Sequence, residues 1–278
     1  MKSRYLTPSK PRFFAHRGAS GAFPENTLPA FLAAEAAGIP YLELDVWTTS
    51  DGRVVTHHDE TLQRLCGDPR RLSDLTLAEL QNLDAGSTFT LDGGRSFPFR
   101  SQGVKVPTLL EVFAACPNSR FNIEIKDPTA AAIKQTLTAI RAGGREADVL
   151  LAAEDHLTMQ RIRRLCAGIP TSLSFVEAAA FFSWLEQGCQ APYQPPGIAL
   201  QIPEFYGPRQ LVLAESVAAA QGVGLEVHVW TVNRAADIHR LLSLGVDGIM
   251  SDFPNLFPIP DQIYPHPDFS PNRRHKTC

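Results

Sequence analysis

The stretch "YLELDVW" (residues 41–47) is an apolar run broken by two acids, Glu43 and Asp45. Side chains alternate across a strand, so Leu42, Leu44 and Val46 share one face while Glu43, Asp45 and Trp47 share the other. The split recurs in "RFNIEIK" (120–126), where Phe121, Ile123 and Ile125 oppose Asn122, Glu124 and Lys126. It recurs again in "LEVHVW" (225–230), where Val227 and Val229 oppose Glu226, His228 and Trp230. Such strands suit a barrel, whose aliphatic face packs on helices and whose inward face carries its polar residues near the C-terminal mouth. Glu43, Asp45, Glu124, Lys126, Trp230 and the His16 of "RFFAHR" (12–17) all fall late in their strands. They are expected to converge at one mouth.

Further strands are expected in "VLLAA" (149–153), "TSLSFV" (171–176), "GIALQI" (197–202) and "DGIMS" (247–251), with helical stretches between them. Several of those helical stretches close on a Gly, a common helix C-terminus. Eight strands with intervening helices over about 250 residues is the arithmetic of an α/β (β/α)8 TIM barrel. An open doubly wound sheet is the alternative, and the absence of G-x-G-x-x-G after the first strand counts against it. One connection, residues 51–106, is too long for an ordinary barrel loop. It holds a short strand ("RVVTHH"), a helix-like "TLAELQNL" and a Gly/Ser/Phe-rich run. Loops that grow this large carry function or cover a site. Both ends of the chain read as tails. The domain is expected to span 10–262, with 263–278 a poorly ordered C-terminal tail.

Composition bounds the function classes. The chain has 278 residues, 44% of them hydrophobic, enough to bury a sizeable core. Basic and acidic residues number 26 and 29, giving −3, with no basic stripe to suggest nucleic acid. Five scattered cysteines with no C-x-x-C pair read as free thiols in a reducing compartment. The N-terminus has no apolar signal region, and no run is long enough to span a membrane. A soluble cytoplasmic protein without stable membrane insertion is the expectation.

Buried charges are costly unless paired or bound to a metal. Three inward carboxylates with few inward cations are hard to satisfy by salt bridges alone, and a divalent cation would satisfy them. A structural ion-pair element is the competing explanation. Arg17 pairing with Glu25, Lys126 neutralising Glu124, and Trp230 filling core are the bland counterparts of functional roles. His57 and His58 point to opposite sides if their strand continues, so at most one belongs to a site.

Taken in order, "AHRGASGAFPENTLPAF" (15–31), "ELDVWTTSDGRVVTHHDETLQR" (43–64), "LDAG" (83–86), "VPTLLEVF" (106–113), "NIEIK" (122–126), "VHVWTVN" (227–233) and "GVDGIMSDFP" (245–254) resemble the glycerophosphodiester phosphodiesterase family. The resemblance implies a TIM barrel with a small insertion after the second strand, which the 51–106 connection fits. It implies one divalent cation, magnesium or calcium with manganese a third candidate, held by Glu43, Asp45 and Glu124. It implies two catalytic histidines, His16 and His58, phosphate binding by Arg17 and Lys126, and Trp230 lining the substrate. The chain departs from the family pattern at "RLCGD" (64–68), and "AAEDH" (152–156) lacks a Ser-Phe common after the fourth strand.

The chemistry implied is hydrolysis of a small-molecule glycerophosphodiester, such as glycerophosphocholine or glycerophosphoethanolamine, to sn-glycerol 3-phosphate and an alcohol. Carboxylates suit a hard, oxygen-loving ion, and no Cys/His set points to zinc. Two imidazoles can share the proton transfers at neutral pH. The alternatives are a lysophospholipase D-type or glycerophosphoinositol phosphodiesterase, an inactive phosphate-binding barrel, and a metal-dependent sugar-phosphate isomerase. The aromatic run 89–99 is expected to admit a lipid chain if the first alternative holds.

Overall fold

The computed structural model describes residues 4–166 and 168–259. The expected C-terminal tail, 263–278, and the domain limit at 262 lie outside them. The elements run β1 (Arg12–His16), α1 (Leu28–Ala36), β2 (Tyr41–Thr48), β3 (Val54–Thr56), α2 (Gln63–Cys66), α3 (Leu77–Leu80), α4 (Leu109–Ala115), β4 (Arg120–Ile125) and α5 (Ala130–Ala142). They continue with β5 (Val149–Ala152), α6 (His156–Leu165), α7 (Phe175–Glu186), β6 (Ala199–Pro203), β7 (Phe205–Tyr206), β8 (Arg209–Gln210), α8 (Ala214–Gly222), β9 (Glu226–Trp230), α9 (Ala235–Ser243) and β10 (Gly248–Ser251).

Seven strands pair side by side in the order β5–β4–β2–β1–β10–β9–β6, every neighbour parallel. The sheet curls. Its two end strands both meet the segment Thr171–Ser172, through parallel bridges Leu151↔Thr171 and Ser172↔Ala199. The "TSLSFV" segment is thus far shorter as a strand than its composition suggests, because helix α7 begins at Phe175. The Ser174 backbone N–H donates there to the Glu177 carboxylate at 2.9 Å. That S-x-x-E signal prevails over the β-propensity of Phe175 and Val176.

The predicted split of faces organises the core. Leu42, Leu44, Val46, Phe121, Ile123, Ile125, Val227 and Val229 all join the large apolar cluster with residues of the helices. Phe14, Tyr41, Leu150, Ala152, Ala199 and Met250, on the opposite face, form a smaller cluster around Tyr5. The segment from Arg4 is therefore no tail. The Tyr5 ring is fully buried, its carbonyl accepts from the Tyr41 hydroxyl at 2.5 Å, and Arg4 pairs with Asp148 at 2.6 Å. Burying one aromatic ring offsets the ordering of a few polar residues.

The 49–119 connection holds β3, antiparallel to β2, and the short helices α2 and α3. Its aromatic run does not reach the mouth of the sheet: Phe99 is buried against Phe23 and Phe89, with ring centroids 5.6 and 5.3 Å away.

At the N-terminal end of the sheet, buried Arg12 forks onto Glu226 at 2.7 and 2.8 Å and donates to the Tyr41 hydroxyl at 2.8 Å. Burial acts to raise the Glu226 carboxyl, but Arg12 and His228 hold it far below the usual range. The unfolded carboxyl titrates near about 4.3. The pair's contribution is therefore fully present above that pH and is lost as pH falls toward the lower folded value. Glu226→Gln leaves Arg12 buried beside a neutral amide, and we expect about 3 kcal/mol lower stability in urea denaturation at pH 7. The difference from the parent should shrink as pH falls below about 4.

Candidate active site

All the parallel strands end at one mouth, and the inward residues of their last turns meet there. Each of Glu43, Asp45 and Glu124 places a carboxylate oxygen within 4.8 Å of the others. Register explains the meeting, because Asp45 of β2 lies directly beside Glu124 of β4. Asp45 is only 1% exposed. Lys126 Nζ stands 2.8 Å from Glu124 and 3.3 Å from Asp45, while Arg17 reaches Glu25 at 3.0 Å and Asp45 at 3.2 Å. Both bland pairings therefore exist, and both cations also face the acid cluster. The turn that delivers Arg17 is tight. Arg17 and Gly18 have φ of 56° and 81°, and a Cβ on Gly18 would lie 2.6 Å from the Ala30 carbonyl carbon. Asn26, also left-handed at φ 55°, donates to Asp45 at 3.0 Å.

Two histidines flank the acids. His16 Nδ1 lies 2.6 Å from Asp252, and its Nε2 faces Glu43 at 3.8 Å. His58 Nδ1 lies 2.6 Å from Asp59, whose other oxygen accepts from Arg64 at 2.7 Å. His57 turns away, buried, with Nε2 3.1 Å from the Thr61 carbonyl. A cavity of about 480 Å³ is lined by His16, Arg17, Glu43, His58, Glu124, Lys126 and Trp230. Asp45 lies behind them. The cavity's other wall is mainly apolar, with Leu173, Phe175, Ala178, Phe182 and Tyr206. None of residues 89–99 lines it, so the aromatics at this mouth come from α7, the β7–β8 hairpin and β9 instead.

The electrostatics are those of a crowded anion cluster. Burial pushes Glu43 well above the usual carboxylate range, and neighbouring Asp45 adds to the rise. Glu124 is raised by the same two causes in the same order. Burial acts to raise Asp45 as well, yet Lys126 and Arg17 hold it below its ordinary value. Burial works against a charged His16, but the hydrogen bond to Asp252 and the Glu43 charge outweigh it and raise the imidazole. An all-oxygen donor set crowded until two members resist ionisation fits a hard divalent cation. Arg17 Nε, buried without an aligned hydrogen-bond partner among the described residues, is a donor in reserve.

Comparison with known proteins decides the family. The model of the glycerophosphoryl diester phosphodiesterase family matches residues 16–256. The chain belongs to that family. Membership makes it a hydrolase of phosphoric diesters, as the resemblance implied. A glycerophosphodiester phosphodiesterase of Bacillus subtilis (strain 168) is 31% identical over 92% of this chain and 88% of its own. One of Caldanaerobacter subterraneus subsp. tengcongensis is 32% identical over 86% and 93%. The solved structure of an Oleispira antarctica phosphodiesterase in complex with the product sn-glycerol-3-phosphate superposes with a TM-score of 0.72. It is 25% identical, over 88% of this chain and 94% of that one.

Within this family member, sequence reasoning missed the groups that hold the histidines. Asp252 binds His16 and is itself fixed by Ser20 at 3.0 Å and Asn233 at 2.6 Å. It sits in the quoted "SDFP", but an acid just beyond a strand end carries no periodic signal. Arg64 lies in the departing "RLCGD" segment, yet bridges Asp59 and Glu25, each contact at 2.7 Å. No helix among the described residues is long and apolar enough to cross a membrane.

Proposed function

We propose that this chain hydrolyses glycerophosphodiesters, glycerophosphocholine and glycerophosphoethanolamine among them, to sn-glycerol 3-phosphate and an alcohol. In this reading Glu43, Asp45 and Glu124 hold one divalent cation, magnesium or calcium. His16 and His58 exchange protons with nucleophile and leaving group, Arg17 and Lys126 bind phosphate, and Trp230 lines the substrate. We further propose that Thr171–Ser172 supplies the eighth stave of a (β/α)8 barrel, with residues 51–106 inserted after its second strand.

The observation that carries the reading is the meeting of three carboxylates, two cations and two carboxylate-held histidines at one cavity. A divalent ion bound there would draw charge from the non-bridging phosphate oxygens and lower the barrier to attack. The chain's own groups do the rest. Arg17 offers a planar fork to the phosphate and Lys126 a point charge. Asp252 and Asp59 fix each ring through Nδ1, leaving Nε2 to give or take a proton. The two rings stand on different elements, β1 and the segment after β3, so one can serve the nucleophile and the other the departing alcohol.

A coupled assay for sn-glycerol 3-phosphate release from glycerophosphocholine tests the reading. Turnover with magnesium, calcium or manganese is expected, and none with any of them would sink it. The apolar wall favours a lysophospholipid as a second reading. Faster turnover of lysophosphatidylcholine than of glycerophosphocholine would move the assignment there.

A further inference from the structure

Asn122 and Gln201 line the same cavity, Asn122 one layer below Glu124. Asn122 precedes Glu124 by two residues on β4, so it points the same way from about 7 Å deeper. It lies beside Glu43 in register and is only 2% exposed. Gln201 Nε2 donates to Asn122 Oδ1 at 2.7 Å and stands 3.2 Å from His228 Nδ1. Fully buried His228 meets Glu226 through Nε2 at 3.1 Å, so a neutral ring donates there and accepts at Nδ1. The Tyr5 hydroxyl donates to the same Asn122 oxygen at 3.5 Å.

Gln201's amide protons and Asn122's amide oxygen are thereby committed. Their other ends, Asn122 Nδ2 and Gln201 Oε1, make no hydrogen bond among the described residues, and neither is sealed away from the cavity. If both amides were turned over, the free ends would be an acceptor and a donor instead. Either way the floor presents one of each. A hydroxyl group, which both donates and accepts, is the chemical complement.

We propose that Asn122 and Gln201 form a hydroxyl-binding floor that takes the substrate's glycerol and so sets the direction of the diester. This rests on the glycerophosphodiester reading above. The glycerol goes inward to the closed polar end. The variable alcohol lies outward along the wall of Phe175, Ala178, Phe182 and Tyr206, where Phe175 and Tyr206 are 49% and 59% exposed. A closed end demands one shape, whereas an open apolar end tolerates many.

Calorimetric titration of the magnesium-loaded protein with sn-glycerol 3-phosphate and with n-propyl phosphate, which lacks both hydroxyls, tests this without chemistry. The parent should prefer glycerol 3-phosphate by about tenfold or more. Gln201→Leu and Asn122→Ser should lose that preference while binding n-propyl phosphate within about twofold of the parent. Should Asn122→Ser fail to fold, Gln201→Leu carries the test alone, since its side chain is not fully buried. Equal binding of the two phosphates by the parent, or an undiminished preference in a folded variant, overturns the floor and leaves the functional reading standing. Binding of neither phosphate by the parent overturns both.

Discussion

Asp45→Asn is expected to lower kcat/KM for glycerophosphocholine by a factor on the order of 10³. The substitution keeps the shape of the side chain and one oxygen toward Asn26, so the fold should survive. It removes the one acid of the cluster that Lys126 and Arg17 hold below its ordinary pKa despite burial. Two losses then coincide. The ion site keeps only Glu43 and Glu124, both pushed toward their neutral forms by burial. Arg17 and Lys126, 3.2 and 3.3 Å from the Asp45 oxygens, also lose the charge that holds them at the cluster. Magnesium affinity measured by calorimetry should fall at least about tenfold, and raised magnesium should restore part of the rate. A variant that kept the parent's rate and affinity would return Asp45 to the role of a structural ion pair.

His16→Ala and His58→Ala should each lower kcat by about 10²- to 10⁴-fold. Each ring is held by a carboxylate at 2.6 Å, so the losses should come from proton transfer, with thermal stability and magnesium affinity nearly unchanged. Because the two are proposed to act in one reaction, the double variant should be only slightly worse than the poorer single one. Steady-state kinetics on the three variants checks this. Factors that multiply in the double variant would mean that the histidines act in separate ways.

Much of the site was legible because strand alternation is rigid. Once Leu42, Leu44 and Val46 face the helices, Glu43 and Asp45 have nowhere to point but inward, and Glu124 follows from the same logic on β4. Alternation also set His57 and His58 on opposite sides, but the choice of His58 came from the family resemblance. The illegible parts depend on contacts far apart in sequence. Asp252 meets His16 across 236 positions and Tyr5 meets Asn122 across 117, and neither pair leaves a local pattern. The expected strand at 171–176 shortened to bridges at Thr171 and Ser172 because the S-x-x-E cap outweighed β-branched and aromatic residues beyond them. Phe89 and Phe99 looked like lipid contacts because aromatic residues in a loop do not reveal which side they bury; here they pack on Phe23 and each other.

The most direct measurement is titration of chelator-stripped protein with magnesium, or with calcium, while heat and sn-glycerol 3-phosphate release from glycerophosphocholine are followed together. The cluster of Glu43, Asp45 and Glu124 predicts one bound ion per chain and turnover that rises in proportion to its binding. Full turnover in excess EDTA, or ion binding that Asp45→Asn leaves unchanged, would contradict it.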